Sequence, residues 1–131
     1  MQANTNRGRL LAVDDSADSA DLVARVAVKC GYDAQAISDP KSVRALVVSW
    51  KPEVLTLDLC MPEADGIDLL SMLEETGFAG LLVIISGQDG WFRKAASRLA
   101  EVRGLKVVDD LQKPVDINAL RQLLSRLRQD S

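Results

Sequence analysis

The segment LLAVDDS, Leu10 to Ser16, is an apolar run that ends abruptly in two aspartates. Arg9 to Val13 has the length and apolar character of a buried strand, and it predicts the first β-strand. Apolar residues then recur at three- and four-residue intervals from Leu22 to Cys30, and Gly31 provides a stop for the helix that this spacing indicates. The segment therefore predicts a strand, an acidic loop and a helix, which together form the repeating unit of an α/β fold.

The same alternation of strand and helix occurs five times along the chain. Five consecutive apolar residues at Leu81 to Ile85 indicate a central parallel strand that is covered on both faces. We predict a single doubly wound (βα)5 domain of flavodoxin-like type, with a central five-stranded parallel sheet, over residues 9–128 and a flexible tail over residues 1–8. The other strands are predicted at Asp33–Ile37, Val54–Leu57 and Leu105–Val108, and the later helices after the Asp39 N-cap with Pro40, around Ile67–Leu73, from about Trp91 to Val102 and around Ile117–Leu127.

Composition excludes several classes of function. The length of 131 residues suits one domain, and a net charge of −3 argues against direct nucleic-acid binding. The chain has no histidine, which removes Ser-His-Asp catalysis and makes the usual zinc sites very difficult to assemble. No uncharged stretch approaches the roughly 20 apolar residues of a membrane-spanning helix. The N-terminus also lacks the apolar region of a signal peptide, so we expect a cytoplasmic protein without membrane association.

Chemically active side chains follow four of the predicted strands. Asp14 and Asp15 follow the first strand, Asp58 the third, Ser86 the fourth and Lys113 the fifth. In a doubly wound fold these positions converge on one crevice. Three carboxylates repel one another unless a cation intervenes, and oxygen-only ligands with several waters suit Mg²⁺. The set contains a nucleophile, metal ligands and donors, which is what phosphoryl transfer onto a carboxylate requires.

The chain resembles the receiver domains of response regulators in two-component signalling from Arg9 to about Leu127. Each matching segment is weak alone, but their order and their placement at strand ends are specific. The segments are LLAVDDS (Leu10 to Ser16), LTLDLCMPEADG (Leu55 to Gly66), VIISG (Val83 to Gly87) and LQKP (Leu111 to Pro114).

The resemblance implies a role for each residue of the site. Asp58 is then the phosphoacceptor, and Asp15, assisted by Asp14 partly through water, binds Mg²⁺ together with Asp58 and the backbone carbonyl of Cys60. Ser86 is the switch hydroxyl that hydrogen-bonds the phosphoryl group, and Lys113 contacts a phosphoryl oxygen. The resemblance also implies a cis peptide between Lys113 and Pro114, loop-shaping roles for Met61 and Pro62, and Gly66 at the start of the third helix.

The implied partners are a histidine kinase or a phosphotransfer protein as donor, and an output domain or partner protein as target. The face formed by the fourth helix, fifth strand and fifth helix would carry the switch, and it could also support a homodimer. The resemblance implies no enzymatic activity beyond the domain's own phosphoryl transfer and dephosphorylation. Arg103 to Leu120 is also similar to receivers attached to EAL-type cyclic-di-GMP phosphodiesterases, although no EAL domain is present in this chain.

The sequence departs from the family pattern at two positions. Asp110 stands three residues before the lysine, where the family usually has an aromatic residue that moves with the switch hydroxyl. Ser86 replaces the commoner threonine and keeps the hydroxyl. Cys60 and Gln88 lie two residues beyond Asp58 and Ser86, and we expect them to tune hydrolysis of the phosphoryl group.

Two other functions remain open at this point. A phosphorylation-independent interaction module of the same fold is favoured by the missing aromatic residue at Asp110. The complete set of three aspartates, one hydroxyl and one lysine argues against it. A small flavodoxin-like or phosphatase-type enzyme is disfavoured because Asp14 and Asp15 stand where such a protein needs a glycine- or hydroxyl-rich phosphate loop.

Overall fold

The computed structural model describes residues 8–61, 64–87 and 90–129. The described chain alternates strands and helices as the sequence predicts. Its main elements are β1 (Arg9–Val13), α1 (Ala17–Lys29), β2 (Asp33–Ile37), α2 (Pro40–Trp50), β3 (Val54–Asp58), α3 (Gly66–Glu75), β4 (Leu81–Ser86), α4 (Gly90–Val102), β5 (Lys106–Gln112) and α5 (Ile117–Gln129). Two short strands, Cys60–Met61 and Ala64–Asp65, pair antiparallel between β3 and α3.

The five main strands form one parallel sheet in the order β2-β1-β3-β4-β5. This order confirms the predicted doubly wound fold. The order reverses between β1 and β3, so the crevice outside the carboxyl ends of these two strands is the expected binding site.

The core has one layer on each face of the sheet. One layer joins Leu11, Leu57 and Ile84 to α2, α3 and α4, and the other joins Leu10, Val83 and Ile85 to α1 and α5. Successive residues of a strand point to opposite faces, so a strand buried on both sides must be apolar throughout. Residues Leu82 to Ile85 are almost completely buried, which confirms that β4 is central.

Local signals set the helix ends. Asp39 accepts a hydrogen bond from the N–H of Lys41, and Pro40 occupies the first turn of α2, as predicted. Gly104 has a φ of 87°, a conformation that glycine adopts without strain, and it stands between α4 and β5. Lys51 has a φ of 54° at the end of α2, which the sequence analysis did not predict.

β5 differs most from its prediction, because it begins at Lys106 and reaches Gln112 rather than covering Leu105 to Val108. The strand lies at the edge of the sheet, where acidic side chains are tolerated. Its pairing with β4 shifts by one residue, so Leu82 pairs with Val107 but Val83 pairs with Asp109. The shift places Asp110 opposite Ile84, on the side of the sheet covered by α4.

Candidate functional site

The predicted site residues lie at the carboxyl ends of neighbouring strands. Asp14 directly follows β1, and its N–H donates to the carbonyl of Ile37 at the end of β2 (3.1 Å). Asp58 and Ser86 are the last residues of β3 and β4. The N–H of Lys113 donates to the carbonyl of Ser86 (3.0 Å), so the segment after β5 is joined to the end of β4.

The three aspartates form one acidic cluster. Carboxylate oxygens of Asp14, Asp15 and Asp58 all lie within 4.8 Å of one another. Asp14 and Asp58 are buried, with 4% and 2% of their surfaces exposed, whereas Asp15 is exposed. Buried like charges at this separation destabilise one another unless positive charge is supplied.

Lys113 supplies part of that charge. Its Nζ lies 2.8 Å from Oδ2 of Asp14 and 3.1 Å from Oδ2 of Asp58, so one ammonium group bridges both buried carboxylates. The resemblance implied that Lys113 contacts a phosphoryl oxygen. In the structure, Lys113 contacts the two buried carboxylates.

The pKa values of this cluster respond to burial and to charge. Burial raises the pKa of Asp14 to about 6, against the hydrogen bonds from Lys113 and from the N–H of Ser16, while the negative charge of Asp58 raises it further. Burial alone would lower the pKa of Lys113, but its hydrogen bonds to Asp14 and Asp58 and their charges outweigh that effect and raise it. The site therefore favours the protonated, charged form of Lys113 and disfavours the charged form of Asp14.

Ser86 is fully buried at the end of β4 and pairs with Gln112 in β5. It is placed one residue beyond Ile85, which lies opposite Asp58 in the sheet. The hydroxyl-bearing residue is therefore next to the end of the strand that carries Asp58. The predicted convergence of strand ends accounts for this arrangement.

Some predicted features lie beside the site, and others lie outside the described residues. The Lys113–Pro114 peptide is cis and Gly66 begins α3, both as the resemblance implied. Cys60 lies in the short strand after β3, but the roles of its carbonyl and of Met61 stay predictions. Pro62, Gln88 and residues 1–7 of the predicted tail lie outside the described residues.

An apolar groove borders the site and was missed by the sequence analysis. It has a volume of about 410 Å³, and it lies between α1 and the segment that joins β5 to α5. Asp14 and Lys113 form one wall, which makes the groove continuous with the acidic cluster. The other lining side chains include Leu22, Val23, Pro114, Val115 and Ile117.

Comparison with known proteins shows the family of this chain. The chain belongs to the response regulator receiver domain family, whose model matches residues 10–125. It is therefore a receiver domain of two-component signalling, a signalling class in which phosphorylation on an aspartate is the general function.

Curated relatives extend beyond the matched region. Response regulator MprA of Mycobacterium leprae is 29% identical over 120 residues, which cover 92% of this chain and 49% of that relative. Response regulator MprA of Mycolicibacterium vanbaalenii is 28% identical over 120 residues, covering 92% of this chain and 48% of that protein. The chain thus spans about half the length of the curated relatives that it matches.

Solved structures show the same architecture. A response regulator from Colwellia psychrerythraea superposes with a TM-score of 0.84 at 28% identity, covering 95% of this chain and 98% of that chain. The chemotaxis protein CheY4 of Vibrio cholerae has a TM-score of 0.77 at 20% identity, covering 92% and 98%, and shows the shared fold alone. Within the described ranges, no helix combines the length and apolar character needed to cross a membrane.

Proposed function

We propose that Asp58 is the residue that accepts the phosphoryl group and that the reaction needs Mg²⁺. The observation that carries this proposal is the bridge from Lys113 to the buried carboxylates of Asp14 and Asp58. Asp58 lies on β3, between β1, which leads to Asp14, and β4, which ends at Ser86. Among the three carboxylates it is therefore the one with the other acids on one side and the hydroxyl-bearing residue on the other.

The residues present fit a Mg²⁺ ion. Asp14, Asp15 and Asp58 offer hard oxygen ligands close together, and the backbone carbonyl of Cys60 is the proposed fourth protein ligand. Mg²⁺ typically keeps several waters and takes only a few carboxylates from the protein. When bound, it would neutralise the charge of the carboxylates and of the incoming phosphoryl oxygens.

The proposed reaction transfers a phosphoryl group from a phosphohistidine to Asp58. A carboxylate oxygen of Asp58 attacks phosphorus, a P–O bond forms, and the P–N bond to the donor imidazole breaks with the electron pair leaving on nitrogen. We assign Lys113, whose Nζ lies 3.1 Å from Oδ2 of Asp58, to contact a phosphoryl oxygen, and Ser86 to hydrogen-bond another. Hydrolysis of the acyl phosphate by water returns the carboxylate, and we propose no turnover of an outside metabolite.

We propose that the groove beside the site receives a helix of the donor, which is a histidine kinase or a phosphotransfer protein. A histidine must come within bonding distance of Asp58, so the donor has to cover the surface next to the acidic cluster. The groove is apolar, shares Asp14 and Lys113 with the cluster, and includes the partly exposed Leu22. Apolar anchors in such grooves are a common basis of helix recognition.

We further propose that the face formed by α4, β5 and α5 transmits the signal to an output domain or partner, or to a second copy of the chain. Trp91 and Val102 are the most exposed large apolar side chains among the described residues, at 77% and 78%. They lie about three turns apart on one stripe of α4. If two α4 helices met antiparallel, Trp91 would face Val102 of the second copy, and Lys94 would lie near Glu101.

The cytoplasm is the proposed location, and attachment to an EAL-type phosphodiesterase stays a proposal from sequence similarity. A phosphorylation-independent interaction module is the alternative function. Asp110 favours it, because an aspartate cannot repeat the movement of a buried aromatic ring.

Intact mass spectrometry after incubation with acetyl phosphate or phosphoramidate tests the proposal. We expect one Mg²⁺-dependent phosphate adduct on the wild-type chain and none on Asp58→Asn. Absence of an adduct from folded wild-type protein, together with no response to beryllofluoride, would support the interaction module instead.

A further inference from the structure

An ion pair joins the first turn of α4 to β5. Nε of Arg93 lies 3.5 Å from Oδ1 of Asp110, and the two side chains are 14% and 29% exposed. The pair is thus largely shielded from solvent, unlike the exposed pair of Arg44 with Glu75 on the protein surface.

The register shift in β5 creates this contact. Without the extra residue, Asp109 rather than Asp110 would pair with Ile84. Ile84 belongs to the core layer that includes Ala96 and Ala100 of α4. The shift therefore turns the Asp110 carboxylate toward α4, where Arg93 meets it.

The guanidinium group of this ion pair lacks hydrogen bonds within the described chain at two of its nitrogen atoms. Nε and Nη1 of Arg93 are buried and have no hydrogen-bond partner among the described residues, so the 3.5 Å contact is an electrostatic one without hydrogen-bond geometry. Well-formed pairs of arginine and carboxylate have N–O distances of roughly 2.7–2.9 Å. A buried guanidinium with unmet donors is costly, so a competing arrangement of Arg93 need not be much higher in free energy.

The position of the pair connects it to the site. The chain passes from Ser86, at the end of β4, to α4 within a few residues, and Arg93 lies in the first turn of that helix. Asp110 stands three residues before Lys113, which bridges Asp14 and Asp58. Movement at either Ser86 or Lys113 would therefore act on one of the two elements that the pair joins.

Building on the proposed function, we propose that Arg93 and Asp110 form a latch that holds the first turn of α4 on β5 in the unphosphorylated state. Phosphorylation of Asp58 opens the latch as Ser86 and Lys113 turn to the phosphoryl group. The closed latch then lowers the apparent affinity of the site for a phosphoryl group or its analogue. The reason is that a ligand that binds only the open state must also shift the equilibrium from the closed to the open latch.

The test measures the apparent affinity of the Mg²⁺-loaded chain for beryllofluoride in wild type, Arg93→Met, Asp110→Asn and the double variant. Each single variant removes the latch, so we expect affinity to rise about three- to tenfold. The double variant should bind no more tightly than the singles, because there is only one latch to remove. Thermal unfolding of each variant without ligand confirms that the protein remains folded.

Arg103→Met is the matched control. Arg103 directly follows α4, pairs with Glu74 of α3 at 3.0 Å, and has a buried Nε with no hydrogen-bond partner in the described chain. Its removal perturbs the other end of α4 and should leave beryllofluoride affinity unchanged. Unchanged affinity in both latch variants, or weaker binding by Arg93→Met, would overturn the latch. If wild type itself neither binds beryllofluoride nor becomes phosphorylated, the proposed function fails instead.

Discussion

Nζ of Lys113 lies 2.8 Å from Oδ2 of Asp14, so the lysine that follows β5 contacts the first acidic side chain after β1. The same ammonium group reaches Asp58 at 3.1 Å. The lysine therefore supplies positive charge to two of the carboxylates that are proposed to bind Mg²⁺. Metal binding and phosphorylation should both change which groups this lysine contacts.

The first prediction concerns Asp14 and pH. The folded-state pKa of Asp14 is raised from 3.8 to about 6, so the folded chain binds more protons than the unfolded chain in that window, and stability falls as pH rises through it. Asp14→Asn removes the ionisable group, and with it this loss of stability at higher pH. In EDTA at about pH 7.5 we expect the variant to be more stable than wild type by about 1–2 kcal/mol, with a much smaller gain near about pH 4.

Urea unfolding at both pH values measures this difference. Mg²⁺ should stabilise wild type more than Asp14→Asn, because the variant has lost one carboxylate of the proposed metal site. An equal gain at both pH values would contradict the assignment to the titration of Asp14.

The second prediction concerns the lysine bridge. Lys113→Met removes the cation next to two buried carboxylates, so the metal-free chain should lose about 2 kcal/mol of stability at neutral pH. Added Mg²⁺ should recover most of that loss, because it supplies the missing positive charge. Thermal unfolding with EDTA and with Mg²⁺ measures both effects, and Lys41→Met, on exposed surface in α2, is the control.

The third prediction separates donor docking from chemistry. Leu22→Glu places a charge in the groove beside the site but leaves the acidic cluster unchanged. Transfer from a histidine kinase that phosphorylates wild type should slow by about tenfold, because apolar anchors dominate such contacts. The rate with acetyl phosphate should not change. Val48→Glu, at a similarly exposed apolar position on α2, should affect neither reaction.

The fourth prediction concerns self-association through α4. Lys94→Glu should weaken a dimer of the phosphorylated or beryllofluoride-loaded chain by like-charge repulsion with Glu101. Glu101→Lys should do the same, and the combination of both should restore association, because the charge pair is re-formed in reverse. Sedimentation equilibrium measures the dimer dissociation constant of the wild-type chain and of each variant. A loaded wild-type chain that stays monomeric would direct attention to an output partner at the same face.

Local patterns determined most of the fold. Apolar runs of strand length alternate with helical spacing, and parallel strands must be linked by crossovers, so the sheet and the convergence of its carboxyl ends followed from the sequence. Asp14, Asp58, Ser86 and Lys113 could be assigned to one crevice for that reason. Their types also indicated the chemistry, because few reactions use aspartates, a hydroxyl and a lysine without histidine.

Only the tertiary structure decided how side chains from distant segments meet. The sequence placed Asp110 beyond the end of the fifth strand, but pairing with β4 extends β5 and shifts its register, so Asp110 faces Arg93. The sharing of Lys113 between Asp14 and Asp58, and the groove between α1 and the segment after β5, also depend on packing across the sheet. Periodicity reports which residues are apolar and how they repeat. It carries no information on the register between an edge strand and its neighbour, which the packed sheet selects.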